Sequence, residues 1–344
     1  MDGVPLEEGP ILALGSDCKP LSIIAESLFH TAEVDRYFFF PKLNIKAEMI
    51  YVESLILPSE GLESGHFDSY SPTYFKSIYP FKVLSYRGLE GTVKFKDITI
   101  FSGGNGTGKS TLLNILAQKL GLKRTTPFNH TVLFDEYMDY CRVRMSDLAY
   151  NLSYQASDYG RIITSDEVFE HILVTRYEND EIDNVRLGML DRIEDLRNAP
   201  PRSINFDDKD SVKDFRDSVD VRRLSISKYV KKHLGFNKVE RSNGENGFKY
   251  FTDTIQPQGL YLLDEPENSL SVERQLDLCL FIDSMARYEN CQFIISTHSP
   301  FIMSIKNALL YNLDVFPATT MKWSEVESVR QYYEFFKSRE DEFK

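Results

Sequence analysis

Short apolar runs separated by polar turns mark the buried elements of this chain. Residues 98–101, 259–263 and 292–297 are mostly apolar, and their length predicts buried β-strands. Residues 111–120 repeat apolar positions along one stripe, which predicts a helix soon after the first of these strands. Alternation of buried strands with helices indicates an α/β protein.

The polar loop between the first strand and that helix carries the strongest chemical signal. It fits G-x-x-x-x-G-K-[ST] and consists of Gly103, Gly104, Asn105, Gly106, Thr107, Gly108, Lys109, Ser110 and Thr111. Such a loop turns backbone N–H groups inward around a phosphate, and the following helix adds the positive end of its dipole. Lys109 is expected to reach the β- and γ-phosphates, and Ser110 to bind Mg²⁺. The alternative is an accidental glycine-rich turn or a degenerate relic.

Two further strands end in polar residues that suit the same chemistry. Asp264 and Glu265 follow the second strand, where the first acid is placed to hold Mg²⁺ and the second to polarise an attacking water. His298 lies just beyond the third strand. Ligands in open α/β sheets bind outside the carboxyl ends of the strands, so we expect all three features at one site. Without the P-loop, the acid pair would be interpreted as part of a turn, and the histidine as a residue with a structural role.

Together, the loop, Asp264-Glu265-Pro266 and Thr297-His298-Ser299 resemble the ATP-binding cassette (ABC) ATPases. The chain is more similar to the soluble branch related to chromosome-maintenance (SMC) and DNA-repair ATPases, and looks like a small family of stand-alone ATPases. The resemblance runs from about residue 50 to the C-terminus. It implies a P-loop NTPase fold of ABC type, in which a mixed parallel core sheet is flanked by an antiparallel β-subdomain and a short helical subdomain. It also implies that Glu265 is the catalytic base and that His298 contacts the γ-phosphate.

The same resemblance implies ATP and Mg²⁺ as ligands, and a homodimer that forms when ATP binds. ABC ATPases cover the γ-phosphate with a signature loop of the opposite subunit, but Leu-Ser-Gly-Gly-Gln does not occur here. The best candidate is Ser242, Asn243, Gly244 and Glu245, ahead of a helix expected at 246–255. The alternative is a plain polar turn.

Two other positions depart from the family pattern. The glutamine that contacts Mg²⁺ and water in many ABC proteins is not clear: residues 164–166 are Thr-Ser-Asp, and Gln155 lies in a loop-like stretch. The loop after the acids ends in Ser271, where aspartate is usual. Phe81 and Tyr86 are candidates to stack on adenine, with a place in the core as the alternative.

The resemblance and the local pattern divide the chain into five parts. Residues 167–241 are charge-rich and helical, and they lack the sustained heptads of a long coiled coil. The first three parts are an N-terminal extension (1–48), a lobe that contains the P-loop (49–166) and a helical arm (167–241). The fourth part (242–323) returns to the same lobe and contains the signature candidate, the acid pair and the histidine. The fifth is an amphipathic C-terminal helix packed on the core (324–344).

Composition and charge indicate in which compartment the protein acts and what its surface can bind. The chain has 344 residues, of which 42% are hydrophobic and 27% charged, as in ordinary globular proteins. Its four cysteines show no metal or redox spacing, and no apolar run approaches a membrane span, so we expect a soluble cytoplasmic protein. The net charge of −12 argues against a generally basic surface, yet residues 222–241 are rich in Lys and Arg. That stretch predicts either a DNA or RNA contact or a solvated helix face.

Three functional classes follow from these features. The first is a soluble ATPase that acts as a switch or motor subunit in a DNA-related or defence process. The alternatives are the nucleotide-binding subunit of a membrane transporter and a small-molecule kinase. Apart from the acid pair, the acids form no visible nuclease cluster, so effector chemistry is expected in a separate protein.

Overall fold

A six-stranded sheet forms the core of the part of the chain that the computed structural model describes, namely residues 50–68, 78–147, 149, 160–198, 209–234 and 243–344. The strands in chain order are β1 (Val52–Leu57), β2 (Gly91–Lys94), β3 (Ile98–Ser102), β4 (Arg142–Met145), β5 (Gly160–Thr164), β6 (Leu260–Asp264), β7 (Gln292–Thr297), β8 (Leu309–Asn312) and β9 (Thr319–Thr320). The large sheet has the order β5-β6-β7-β3-β8-β9, and only β9 runs antiparallel.

The three predicted strands are neighbours in this sheet, which confirms the α/β fold class. Strand β7 lies between β6 and β3, and pairs Asp264 with Ser296 and Ser102 with Thr297. Along β6, Leu260 and Leu262 join one hydrophobic cluster while Leu263 joins the other. Both faces of the sheet are therefore buried, which explains why the strands are apolar at successive positions.

A second, antiparallel sheet has the order β2-β1-β4. The buried side chain of Gln292 links it to the core sheet. Its carbonyl oxygen accepts hydrogen bonds from the backbone N–H groups of Tyr51 and Val52, both at 2.9 Å. Its amide nitrogen donates to the carbonyl oxygens of Val52 (2.9 Å) and Lys96 (3.0 Å). One fully bonded amide thus fixes the start of β1 against the start of β7.

Helices cover the sheet and form the arm. In chain order they are α1 (Glu60–Asp68), α2 (Lys109–Leu120), α3 (Val132–Tyr140), α4 (Ser165–Asn198), α5 (Lys209–Arg223), α6 (Ile226–His233), α7 (Asn243–Thr254), α8 (Val272–Tyr288), α9 (Pro300–Met303) and α10 (Glu327–Ser338). Helix α2 confirms the helix predicted after the P-loop. In the arm, α4, α5 and α6 share a small core of Ile193, Val221 and Tyr229. None of the helices in the described residues combines the length and apolar character that crossing a bilayer demands.

Besides its strands, the segment 50–101 holds α1 and a 3₁₀ turn at Ser85–Arg87. Two local predictions were wrong. Helix α7 begins at Asn243, not at residue 246, because its first turn packs closely on the start of α8: a Cβ on Gly244 would lie 3.3 Å from the backbone nitrogen of Ser271.

The second wrong prediction concerns the C-terminus, where one helix packed on the core was expected over 324–344. Helix α10 is instead flanked by 3₁₀ turns at Trp323–Glu325 and Glu340–Phe343. Only Val326 and Val329 are buried there, because the rest of the helix extends past the apolar surface that holds these two side chains.

Candidate nucleotide site

The P-loop joins β3 to α2 and adopts backbone angles that only glycine tolerates easily. Gly106 has φ 77° and Gly108 has φ 96°, both in the left-handed region. A Cβ on Gly108 would also lie 2.8 Å from Cδ2 of Leu84, so the loop is held against the segment before β2. These glycines let the backbone wrap tightly before the helix begins.

The loop is fixed at its other end as well. Asp314 Oδ1 accepts a hydrogen bond from the Gly104 N–H at 2.7 Å, and the Thr107 hydroxyl donates to the Gly104 carbonyl at 2.9 Å. Helix α2 starts after Gly108, which offers no side-chain cap. The first N–H groups of a helix that lacks such a cap are available to an anion.

Lys109 lies at the centre of the site. Its side chain is only 4% exposed, and Nζ donates to the carbonyl oxygens of Gly103 (2.7 Å) and Gly104 (3.1 Å). Nζ also lies 2.8 Å from His298 Nε2 and 3.9 Å from Glu265 Oε1. Burial lowers the pKa of the Lys109 ammonium, while Glu265 and Asp264 act in the opposite direction. The lysine therefore brings the P-loop, the acid pair and the histidine together.

Ser110 and Asp264 form a pair of oxygen donors beside the lysine. The Ser110 hydroxyl donates to Asp264 Oδ1 at 3.0 Å, and the Ser296 hydroxyl hydrogen-bonds the same oxygen. Burial raises the pKa of Asp264, and these two hydrogen bonds lower it in part. A hydroxyl and one carboxylate suit Mg²⁺, which takes few protein ligands and completes its shell with phosphate and water. The described residues contain no group of three or more His, Cys, Asp or Glu side chains able to bind a metal alone.

Glu265 has a strained backbone, with φ 49° and ψ 53°. For a residue other than glycine, this left-handed conformation is uncommon and strained, so the surrounding contacts must hold it. Its Oε1 lies 3.1 Å from His298 Nε2, and Asn268 Nδ2 donates to its Oε2 at 3.0 Å. Nε2 carries at most one proton in a neutral ring, so Lys109 and Glu265 compete for that nitrogen.

Glu267, which the sequence did not single out, supports this arrangement. Its Oε1 accepts the backbone N–H of His298 at 2.5 Å, and burial raises its pKa. The carboxylate thus connects the turn after β6 to the end of β7. Its place in the run Asp-Glu-Pro-Glu was the available signal, but spacing alone did not show which strand it would contact.

A cavity of about 480 Å³ opens beside Ser110 and Asp264. Its wall includes Tyr79, Asn114 and Arg124, none of which was assigned a role from the sequence. Arg124 donates to Asn114 Oδ1 at 2.7 Å and stacks over the ring of Phe128, 4.5 Å from its centroid. The guanidinium is therefore positioned in the cavity wall next to the candidate metal ligands.

Thr164, Ser165 and Asp166 line the same cavity, at the junction of β5 and the arm helix α4. The carboxylate of Glu167, one residue further along, accepts hydrogen bonds from Arg161 and from the Tyr250 hydroxyl. Arg161 also donates to the Tyr250 hydroxyl at 3.2 Å. This cluster connects β5, the arm and α7 next in the chain to the residues that line the cavity.

The described part of the signature candidate lies at the start of α7. Gly244 and Glu245 lie in the first turn of α7, where Glu245 pairs with Arg274 at 3.5 Å. Asn243 starts the same helix, whereas Ser242 lies outside the described residues, as do Gln155 and residues 1–48. Ser271 caps α8 by accepting the N–H of Arg274.

The two aromatic candidates differ in exposure. Phe81 is 1% exposed and packs edge-on against Tyr137, so it belongs to the core. Tyr86 is 60% exposed, in the 3₁₀ turn that follows Leu84, the residue that lies against Gly108 of the P-loop. Of the basic residues in 222–241, Arg222, Arg223 and Lys228 are exposed on or beside α5 and α6, while Lys238 and Arg241 lie outside the described residues.

Comparison with known proteins agrees with the local features. Residues 178–304 match the family model "AAA domain, putative AbiEii toxin, Type IV TA system". No curated protein sequence matches the chain.

Solved structures that resemble parts of this chain include the Smc head domain from Pyrococcus furiosus with an extended coiled coil, bound to the C-terminal domain of ScpA. That match has 12% identity and a TM-score of 0.37, and covers 83% of this chain and 100% of the other. Another is described as "an inward-facing conformation of a putative metal-chelate type ABC transporter", with 15% identity, a TM-score of 0.36, and coverage of 84% and 90%.

The matched segment contains the acid pair and His298, while the P-loop lies before it. Motifs from both parts of the chain meet at Lys109 on one parallel sheet. Over residues 178–304 the chain is therefore similar to an AAA-type ATPase domain.

Proposed function

We propose that this protein binds ATP with Mg²⁺ and hydrolyses it. The observation that carries the proposal is the position of Lys109 Nζ, which lies 2.8 Å from His298 and 3.9 Å from Glu265. A γ-phosphate beside Lys109 would meet an ammonium group, a histidine and a carboxylate contributed by three neighbouring strands. Such convergence of charge and hydrogen-bond donors is the basis of phosphoryl-transfer sites.

Each residue takes a role that follows from its position. Lys109 and the N–H groups at the start of α2 hold the phosphates, and His298 donates to a γ-phosphate oxygen. Glu265 accepts a proton from water as the water oxygen bonds to the γ-phosphorus and the bond to the β-phosphate oxygen breaks. Mg²⁺ held by Ser110 and Asp264 would neutralise charge on the β- and γ-phosphates.

ATP binding with and without Mg²⁺, measured by calorimetry, tests the assignment. Lys109→Ala removes a charged donor worth about 1.5–3 kcal/mol, so ATP should bind at least about tenfold more weakly. Lys119→Ala, in the last turn of the same helix, is the matched control and should bind as the parent does. Equal affinity of the parent and Lys109→Ala would show that the P-loop does not bind ATP.

The proposal includes a two-fold homodimer that closes on ATP. A half-site leaves the γ-phosphate open on one side, and a two-fold arrangement covers both sites with one self-complementary surface. The candidate covering residues are Ser242, Asn243, Gly244 and Glu245, which by family resemblance face the opposite subunit. Helix α7 begins within this segment, so its positive end is suited to an anion.

Light scattering of Glu265→Gln tests the dimer. This variant keeps the shape of the site but lacks the base, so we expect a dimer with ATP–Mg²⁺ and a monomer with ADP. Ser242→Arg in that background should prevent the shift. A protein that stays in one state with trapped ATP would contradict the nucleotide-gated dimer.

The process served is proposed to be DNA-related or defensive, with this chain as a switch or motor subunit. The family description that matches residues 178–304 names a type IV toxin–antitoxin system, which supports a defence role. Arg222, Arg223 and Lys228 offer exposed positive charge for DNA or RNA near the arm. Effector chemistry is assigned to a separate protein. Salt-dependent binding of labelled DNA and RNA, compared between the parent and a variant with these three residues changed to alanine, tests the nucleic-acid contact.

A further inference from the structure

The turn between β8 and β9, residues 313–318, is attached to the start of the P-loop. Asp314 Oδ1 accepts the N–H of Gly104 at 2.7 Å. The N–H of Leu313 donates to the carbonyl oxygen of Ser102, the last residue of β3, at 2.8 Å. These two hydrogen bonds fix the β8–β9 turn where β3 becomes the P-loop.

The same turn contacts the segment before β2, which lies against the other end of the P-loop. Gly88 has φ 65°, and a Cβ at this position would lie 2.7 Å from Cβ of Pro317 and 3.2 Å from Cε2 of Phe316. A backbone hydrogen bond of 2.8 Å also joins the turn to this segment. Leu84 of the segment lies against Gly108. The P-loop, the segment before β2 and the β8–β9 turn therefore contact one another.

Two large aromatic side chains are exposed on these segments. Phe316, in the turn, is 76% exposed, and Tyr86, two residues before Gly88, is 60% exposed. Val315, beside Phe316, is exposed as well. A single exposed ring is ordinary, but two rings on segments that contact each other and the P-loop form an apolar patch of the kind that marks a binding surface.

The strand order shows which part of a nucleotide would reach this patch. Strand β3, which leads into the P-loop, lies between β7 and β8. His298 follows β7 and Glu265 follows β6, so the charged groups that meet at Lys109 come from one side of β3. Phe316 follows β8, on the opposite side. If the γ-phosphate lies beside His298, the base at the other end of the phosphate chain is directed towards Phe316.

We propose that Phe316 is the base-stacking residue of the nucleotide site and that Tyr86 completes the platform. The inference rests on the proposed function, because the phosphates must bind at the P-loop for the base to reach the turn. The two rings offer flat apolar faces, and stacking on such faces accepts any base. The ligand class is therefore a nucleotide held by its phosphates and by stacking, with little selection between adenine and guanine.

Calorimetry of the full chain with ADP, GDP and pyrophosphate, each with Mg²⁺, tests the inference. Diphosphates are used because the proposed dimer does not close on ADP, so contacts with a second copy do not contribute. The parent should bind ADP and GDP within about threefold of each other, and pyrophosphate at least about fivefold more weakly. Phe316→Ala should weaken ADP and GDP alike by at least about fivefold and leave pyrophosphate binding unchanged.

Two further variants separate stacking from a change in the fold of the turn. Phe316→Tyr keeps an aromatic ring at this position and should bind ADP as the parent does. Phe343→Ala, at a ring that is 71% exposed near the C-terminus, is the matched control and should bind all three ligands as the parent does.

Unchanged ADP affinity in Phe316→Ala would overturn the inference and leave the P-loop assignment intact, since Lys109→Ala tests that assignment. Equal losses of ADP and pyrophosphate, or a loss of ADP with GDP unchanged, would overturn it as well. If a second copy covers Phe316 instead, Phe316→Ala will weaken only the ATP-dependent dimer, which also overturns it. A parent that binds neither ADP nor pyrophosphate would overturn the proposed function together with this inference.

Discussion

Lys109 Nζ lies 2.8 Å from His298 Nε2, although 189 positions separate the two residues in the chain. The contact arises because β3 and β7 are adjacent parallel strands, so their carboxyl ends deliver the P-loop and the histidine to one point. The imidazole is therefore placed to contact a phosphate group that Lys109 binds.

The first prediction concerns His298. His298→Ala removes a donor to the γ-phosphate, so the ATP hydrolysis rate should fall by about 100-fold or more while ADP affinity changes little. Phosphate release and ADP titration measure the two quantities. Equal losses for ATP and ADP would indicate that His298 serves the structure instead. His130→Ala, at an exposed ring that pairs with Asp135, is the control.

The second prediction concerns the link between the sheets. Gln292→Leu leaves two backbone N–H groups and two carbonyl oxygens of the β1–β2 region without their buried partner. The free energy of unfolding should fall by at least about 3 kcal/mol, since each buried unsatisfied group costs about 1–3 kcal/mol. Urea denaturation measures the loss. Gln331→Leu, at the surface of α10, should change it by less than about 0.5 kcal/mol, and a similarly small change in Gln292→Leu would contradict the role of the amide.

The sequence predicted those site residues that belong to a local pattern and missed those whose contacts are distant in the chain. The P-loop, the acid pair and His298 stand at the ends of apolar strands, so parallel pairing brings them together once the sheet forms. Gln292 and Glu267 make their contacts across strands that are distant in sequence, and no local pattern encodes such partners. Arg124 was not predicted, because its position in the cavity wall depends on the folded structure and has no local sequence pattern.

Element boundaries were predicted less well for a related reason. Helix α7 begins at Asn243 because its first turn contacts α8, and tertiary packing of this kind overrides local turn preference. The amphipathic pattern near the C-terminus was recognised, but a pattern does not reveal what covers the apolar face. In the structure Tyr332 and Phe336 are exposed.

The third prediction concerns the pH dependence of stability. Glu63 is 1% exposed, and its Oε2 accepts hydrogen bonds from Lys82 N (2.6 Å) and the Ser85 hydroxyl (2.8 Å). Burial raises its pKa above the ordinary 4.5, so its contribution to stability is present in acid and is lost as pH rises through the raised pKa. Glu63→Gln keeps the acceptor oxygen but cannot ionise.

The free energy of unfolding of Glu63→Gln, minus that of the parent, should therefore grow as pH rises from 4.5 towards neutrality. Urea denaturation at several pH values measures this difference. Glu60→Gln, at an exposed residue of the same helix, serves as the control and should show no such trend. A constant difference for Glu63→Gln would show that the carboxyl group has no raised pKa in the folded protein.

The most direct test of the account is phosphate release from ATP–Mg²⁺ by the parent and by Glu265→Gln, with ATP affinity measured on the same samples. If Glu265 is the base of an ATP hydrolysis site, both proteins should bind ATP with similar affinity. The variant should release phosphate at least about 100-fold more slowly. Equal release rates, or a parent that binds ATP–Mg²⁺ without releasing phosphate, would contradict the account.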